Sequence, residues 1–476
     1  MGQEIGHQSF SAQERAAFRA RLRDETNTLK HWFDERAFDF AEGFTVGLEL
    51  EAWLIDRDNL PAPRNAEFLT AVADPDVVEE LSKFNFEINT PPRALGPGAF
   101  AGTEADLTAV WNRCAATGSD MGLRPVAVGI LPTVRDEMLQ PDWMSDTNRY
   151  HALNTELFAR RKGEPLHISI SGQDTLDYRC DHVMLEAACT SLQAHLKINQ
   201  EDAPRFYNAG ILAAGPLVAA SANSPFLYGR SLWQETRIPA FEQATALDGF
   251  RDVDGGNVFR VTLGTGYVRH SFLELFLENL SYEDLLPALS DNTARLPHLR
   301  LQNGTIWRWV RPILGFDGAG TPHLRIEHRV MPAGPSLPDM VANLALCQGL
   351  MLALGKADIP PETLTPFADA RANLYACAEH GLNARVRWEG REVDVQALLL
   401  DELLPRARQA LAEEGVDAAE LQACFTETLV PRLRTGRTGA AWQHSFVDCN
   451  GMNLQALTER YVELQASGAP VHTWTV

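Results

Sequence analysis

The sequence predicts an α+β protein, with a catalytic region built on antiparallel strands and a largely helical C-terminal part packed on the same unit. Three observations predict it. Stretches at 44–55, 84–89, 166–171 and 324–330 alternate apolar and polar residues with period two, the mark of a strand with one buried face. After residue 336 the apolar spacing is helical almost throughout. No Pro/Gly/Ser-rich linker divides the two regions, so they are expected to share one core. The composition, 45% hydrophobic and 22% charged, supplies that core and excludes disorder along the whole chain.

Taken in order, Ser11 and Glu14 form an S-x-x-E capping box that opens a helix over 11–36, with Phe18, Leu22, Leu29 and Trp32/Phe33 at helical spacing. Residues 44–55 read as a strand, 67–83 as a helix, 84–90 as a strand and 99–120 as a helix. An apolar strand over 123–131 is broken by Pro125, and 165–172 alternates again. Residues 182–221 read as helical with a break near Pro204, stopped by Asn223-Ser224-Pro225. The pattern over 228–300 is mixed. Two strands at 305–311 and 323–330 flank a turn containing Gly315, Asp317, Gly318 and Gly320, a hairpin signature. Helices follow at 337–356, 365–380, 395–413, 416–428 and 451–467. The expected division is an N-terminal helix to residue 40, a catalytic α+β domain over 41–335, and a helical region over 336–476.

Charge narrows the function. The net charge of −21 argues against a generic binder of nucleic acid or of an anionic membrane, since both need a positive surface. Only 5 of the 42 cationic side chains are Lys; the bias to Arg fits genome composition or an acidic, Lys-poor surface. The opening residues lack an apolar signal region and no run of about 18 apolar residues stands out, so a cytoplasmic protein is expected. The seven cysteines form no CxxC pair and no disulfide or zinc framework, and several, such as Cys189 and Cys347, sit in apolar helical contexts and read as core residues. No P-loop, H-E-x-x-H or G-x-S-x-G motif is present.

The chemistry lies in the polar faces of the strands. Over 44–55, Val46, Leu48, Leu50 and Leu54 share one face, while Glu49 and Glu51 share the other, roughly 7 Å apart along the strand. Two such carboxylates repel, and a divalent cation neutralises them naturally. Glu87 stands between Asn85 and Asn89 opposite Phe84, Phe86 and Ile88. His167, Ser169 and Ser171 oppose Leu166, Ile168 and Ile170. Arg325, Glu327 and Arg329 oppose Leu324, Ile326 and Val330, with His328 interrupting the apolar side. A half-exposed sheet always alternates in this way, but solvated faces favour Thr, Ser, Lys and Gln. Three Glu-bearing strands and one with His point instead to hard-cation ligands beside anion-binding Arg forks.

These blocks, in this order, resemble the glutamate–cysteine ligase type 2 family of carboxylate–amine ligases, within the glutamine synthetase-like superfamily. Gly47-Leu48-Glu49-Leu50-Glu51 is similar to its G-x-E-x-E strand, and Glu87-Ile88-Asn89-Thr90 to its E-x-N/S-T segment. His167-Ile168-Ser169-Ile170-Ser171 with Asp174 resembles H-V-H-V-G…D. Ala222-Asn223-Ser224-Pro225-Phe226 with Arg237 resembles A-N-S-P-[FW] and its downstream Arg. Ile326-Glu327-His328-Arg329 resembles [IV]-E-x-R, and Thr438 to Gln443 a T-x-A-x-x-Q stretch. The resemblance spans about 44–443. Ser169 and Ser171 replace the second His and the Gly, Trp442 stands where an Arg is expected, and 228–300 matches no motif.

The resemblance implies a curved antiparallel sheet with helices on its back and an active site on its open face. It implies ATP-driven amide formation through an acyl phosphate, with two or more Mg²⁺ ions for which Mn²⁺ can substitute. Glu51 and Glu87 would hold one ion; Glu49, His167 and Glu327 a second. Glu327, Arg329 and Arg237 would be catalytic, with Arg329 on the transferring phosphoryl group, and Arg311, Arg325 and Asn223 would bind nucleotide or substrate. The partners implied are small amino acid or amine substrates, and a homo-oligomer is compatible with them. Glutamate plus cysteine, as in glutathione biosynthesis, is the leading substrate pair. The alternatives are another amino acid or amine pair, a guanidino phosphotransferase, a non-catalytic nucleotide-binding relative, and a metal-dependent hydrolase.

Overall fold

The computed structural model describes residues 4–38, 43–247, 250–251 and 257–476. The expected boundary at residues 40 and 41 lies outside the described residues. Helix α1 (Ala12–Asp34) starts at the Ser11/Glu14 capping box, with both reciprocal hydrogen bonds made. Strand β1 (Thr45–Ile55) is central. It is followed by α2 (Asn65–Val72), β2 (Val77–Glu79), β3 (Asn85–Asn89), β4 (Arg93–Ala94), α3 (Ala99–Asp120), β5 (Arg124–Val126) and α4 (Asn148–Arg160). The expected helix over 67–83 therefore ends at Val72, where Ala73 turns left-handed, and its remainder contributes β2 to the sheet. The strand expected over 123–131 shrinks to three residues around Pro125.

Next come a hairpin, β6 (Leu166–Ser171) and β7 (Thr175–Cys180), then β8 (Ser191–Ile198) and α5 (Ala203–Ser221). Strand β8 corrects the sequence reading of 182–221 as helical. Its residues include good helix formers such as Leu, Gln, Ala and Lys, but between β1 and the strand at 322–332 it has two ladders to satisfy, and tertiary context overrides propensity. A small hairpin, β9 (Phe226–Leu227) and β10 (Arg230–Ser231), precedes α6 (Arg237–Ala244), α7 (Leu273–Glu278) and α8 (Pro297–Gly304), the elements that the mixed pattern of 228–300 concealed. The expected C-terminal hairpin is β11 (Val310–Phe316) and β12 (Pro322–Pro332), closed by a turn in which the Asp317 carboxylate accepts from the Ala319 and Thr321 N–H groups. Strand β11 begins five residues later than the pattern at 305–311 indicates.

The main sheet is antiparallel throughout, in the order β11-β12-β8-β1-β3-β2, with β4 and β5 also paired to β1. Its back is covered by α5 and α9 (Leu337–Gly355), and α10 (Phe367–His380) packs against α5. Gln348 of α9 donates to the His195 carbonyl at 2.9 Å, which pins this helix to β8. The apparent flaw at His328 is resolved the same way: its ring is buried and bonds the Gly210 carbonyl of α5 at 3.0 Å. Helix α9 is the one described helix long and apolar enough to cross a membrane, and 83% of that stretch is buried inside the protein. The apolar run that the sequence reading passed over is thus a core helix. A hairpin, β13 (Arg385–Trp388) and β14 (Arg391–Asp394), precedes helical turns to residue 466, two of them locally π-helical. One continuous core links α1, the sheet and these C-terminal helices.

Glu420, in the C-terminal region, caps α3. Its carboxylate accepts the N–H groups of Gly98, Phe100 and Ala101 at 2.9, 2.8 and 2.7 Å. Those are the donors a helix start leaves unpaired, and an anion is favoured there. Glu420→Ala is expected to lower stability by about 1–3 kcal/mol, because three N–H groups lose their acceptor. A reduced urea midpoint with an unchanged denaturant slope checks this.

Candidate active site

Residues directly paired across an antiparallel ladder share a face, so the register assembles the site. Gly47 pairs with His195, and His195 with Glu327, which pairs with Arg311 on β11. One step along, Gln193 pairs with Glu49, which pairs with Asn89. A further step brings Glu51 opposite Glu87. These side chains stand on the face away from α5 and α9. Of these, Glu49, Glu51, Glu87, Gln193, Arg311 and Glu327 line a cleft open to solvent, whose wall also includes Arg149 and Tyr150 of α4, Glu186 and Trp307.

Two groups of candidate ligands form there. Glu49, His195 and Glu327 offer two carboxylates and an imidazole; Glu51, Glu80 and Glu87 offer three carboxylates. Within each group the ligand atoms lie within 4.8 Å of one another. His195 Nε2 is 3.0 Å from Glu49 Oε1. Arg329 Nη1 donates to Glu327 Oε1 at 2.7 Å, and Arg311 Nη1 is 3.4 Å from it. Both oxygens of Glu51 are held: Oε2 accepts from the Ser191 N–H at 2.6 Å and Oε1 from Gln193 Nε2 at 2.8 Å.

The two groups differ in charge. At Glu327 burial works against ionisation, but Arg311 and Arg329 outweigh it and pull the carboxyl down to about 2. Glu49 is likewise held well below its ordinary range against the pull of burial, chiefly by the approach of His195. The other group has no such compensation. Burial, reinforced by Glu49 and Glu51, pushes Glu87 up to about 7. Burial, then Glu87, Glu51 and Glu186, pushes Glu80 well above its ordinary value. Burial also raises Glu51, only partly offset by Arg329, and with the charge of Glu51 raises Glu186 to about 8. An oxygen-only cluster that its surroundings leave short of positive charge is the donor set a hard divalent cation prefers.

Of the residues singled out by sequence, Glu49, Glu51, Glu87, Glu327, Arg311 and Arg329 meet in this cleft. Arg325 lines an adjoining lobe with Arg149, Arg300 and Arg311. Three do not join them. His167 lies on the separate β6/β7 hairpin, exposed and bonded to Asp177 at 3.1 Å; alternation identifies a strand's faces but not the sheet it joins. His195 occupies the place expected of His167. Arg237 is buried, paired with Glu235 at 3.1 Å and bonded to the Val330 carbonyl, with its guanidinium over the Trp309 ring. Asn223 is also buried, bonded to the Ala333 carbonyl and the Tyr461 hydroxyl at 2.8 Å each and to Gln443 at 3.0 Å. Arg237 and Asn223 are thus both engaged in buried hydrogen bonds within the fold. Trp442 packs among Phe446, Tyr461 and Trp474.

Sequence reading missed His195, Gln193, Glu80 and Glu186. The first two had a signal: Leu192, Ala194, Leu196 and Ile198 alternate with Gln193, His195 and Lys197. Among the described residues no cysteine lines this cleft; Cys189, nearby, is buried, and burial pushes its thiol well up.

The family model described as glutamate-cysteine ligase family 2 (GCS2) matches residues 45–463, nearly the whole chain. The chain belongs to that family. A glutamate–cysteine ligase from Francisella tularensis, solved in complex with AMP, is 12% identical with a TM-score of 0.53, over 90% of each chain. A bifunctional glutathione synthetase from Pasteurella multocida is 11% identical with a TM-score of 0.56. The match covers 95% of this chain and 55% of that longer one. At these identities the likeness is one of fold: the curled antiparallel sheet backed by helices. No curated protein matches the sequence. Membership gives the reaction class, an ATP-dependent carboxylate–amine ligase.

The charge-poor cluster yields a prediction for the metal-free protein. Glu80 has a raised folded-state value, so its neutral form stabilises the fold at low pH, and that contribution is lost as pH rises through the folded-state value. Glu80→Gln removes the loss. In EDTA it is expected to gain about 1 kcal/mol or more over wild type at pH 8, with the gain shrinking towards pH 5. Urea midpoints of both proteins at the two pH values check the sign.

Proposed function

We propose that this ligase joins glutamate to cysteine, forming γ-glutamylcysteine, as a cytoplasmic step towards glutathione. The observation that carries the ligase chemistry is the pair of ligand clusters side by side on one rigid sheet face, with Arg311 and Arg329 converging on Glu327. Family membership, and the name of the Francisella tularensis relative, support the substrate pair.

The donor sets fit two Mg²⁺ or Mn²⁺ ions: Glu49, His195 and Glu327 would hold one, and Glu51, Glu80 and Glu87 the other. Bound there, the ions would neutralise phosphate charge during transfer. The chain's own residues do the rest. Arg329 and Arg311 are held beside Glu327 in the lining of the cleft, an arrangement suited to stabilise charge developing on a phosphoryl group without reorganising. The lobe lined by Arg149, Arg300 and Arg325 offers forks for the polyphosphate of ATP. The γ-phosphoryl group passes to the glutamate γ-carboxylate, giving an acyl phosphate and ADP. The amine then attacks the acyl carbon, and phosphate leaves as the amide forms. The chain supplies position and electrostatics rather than a nucleophile.

The test is ADP release with Mg²⁺ and ATP across single and paired amino acids and amines. ADP formed only with glutamate plus cysteine supports the proposal. Strict dependence on another pair keeps the ligase but replaces its substrates, and ADP or phosphate released with no acceptor contradicts a ligase. Glu327→Gln is expected to lower turnover by about 100-fold or more, since it releases both arginines and removes a ligand. Wild-type turnover in that variant would overturn the assignment of the cluster.

A further inference from the structure

Between the two clusters stands a side chain that belongs to neither. Gln193 is 2% exposed. Its Nε2 donates to Glu51 Oε1 at 2.8 Å, and its Oε1 accepts from Arg329 Nη1, the same nitrogen that donates to Glu327. A continuous chain thus runs Glu51–Gln193–Arg329–Glu327–Arg311 and links the cation-poor cluster to the cation-rich one.

The chemistry of the neighbours dictates the orientation of the amide. A carboxylate only accepts and a guanidinium only donates, so the nitrogen must face Glu51 and the oxygen Arg329. A neutral amide satisfies both without adding charge to a cleft already lined by six carboxyl groups, those of Glu49, Glu51, Glu80, Glu87, Glu186 and Glu327. The alternative arrangement is a direct Glu51–Arg329 ion pair. That pair would occupy a carboxylate that Glu80 and Glu87 need as a third oxygen donor, and would turn the guanidinium away from Glu327. Polar partners that orient a ligand in this way affect metal affinity strongly, although they never touch the ion.

We propose that Gln193 is a positioning residue: it holds Glu51 in its ligating orientation and keeps Arg329 from closing onto it, so that the two clusters remain separate cation sites. This rests on the two-ion reading of the clusters given above.

The test uses Mn²⁺ alone, titrated into the EDTA-treated full-length protein and followed by electron paramagnetic resonance. Wild type is expected to bind two ions. Gln193→Leu keeps the volume and removes both hydrogen bonds; it is expected to weaken one site by about 10–100-fold and to leave the other nearly unchanged. Gln193→Met, with an unbranched stem, serves if the Leu variant fails to fold. Gln193→His restores one donor and one acceptor and is expected to recover most of the affinity. In turnover, the Leu variant should raise the Mg²⁺ concentration needed for half-maximal rate and lower kcat, while circular dichroism remains that of wild type. Two unaltered Mn²⁺ sites in a folded Leu or Met variant would overturn the role of Gln193 and leave the metal sites standing. A wild-type protein that binds no Mn²⁺ would overturn the two-ion reading itself, and the role of Gln193 with it.

Discussion

The structure depends on one electrostatic constraint: carboxylates crowd the open face of a sheet whose other face is dry. Glu49 and Glu51 of β1, Glu87 of β3 and Glu327 of β12 are brought together by strand register, and Glu80 joins them from the end of β2. Like charges at such distances repel strongly once water is excluded. The sheet cannot relax by turning these groups over, because a one-residue slip would drive Val46, Leu48 and Leu50 into the cleft and the glutamates into the core. Helices α5 and α9 enforce that register from behind, through contacts such as Gln348 to the His195 carbonyl and His328 to the Gly210 carbonyl.

The protein meets the repulsion unequally. On the β12 side it supplies Arg311 and Arg329 beside Glu327 and sets His195 against Glu49, and both carboxyl groups are held below their ordinary values. On the β3 side it supplies almost none, and Glu80 and Glu87 hold their protons more tightly than free carboxylic acids do. The cleft is therefore polarised: one end is balanced and rigid, and the other is left wanting a cation. Gln193 sits at the boundary and keeps the two ends from cancelling each other directly.

Much of the candidate site was legible in the sequence. Period-two alternation placed Glu49, Glu51, Glu87 and Glu327 on polar faces, and the E-x-R pattern brought Arg329 with it. The resemblance, carried by these same blocks, led to the ligase family that the whole-chain match supports. The errors have local causes. His167 lies on a strand with the expected alternation, yet that strand pairs only with β7. Arg237 and Asn223 sit in a motif whose side chains turn inward to brace the core. Strand β8 was read as helix because its residues are acceptable in either state, and with it went His195 and Gln193.

The sequence by itself determined what is local: the capping box at Ser11, the faces of individual strands, the helix expected at 337–356, and the acidic character of the site. Each follows from neighbours within a few residues, where side-chain period and cap chemistry act directly. Only the tertiary structure decided which strands share a sheet, and hence that His195 and not His167 stands beside Glu49 and Glu327. It alone brought Glu80 in from β2 and set Gln193 between Glu51 and Arg329. The places of His195 and Gln193 depend on pairing between segments more than a hundred residues apart, and that of Glu80 on the pairing of β2 with β3 and of β3 with β1. That pairing is decided by burial and ladder hydrogen bonds summed over the whole sheet, and no single strand carries this information.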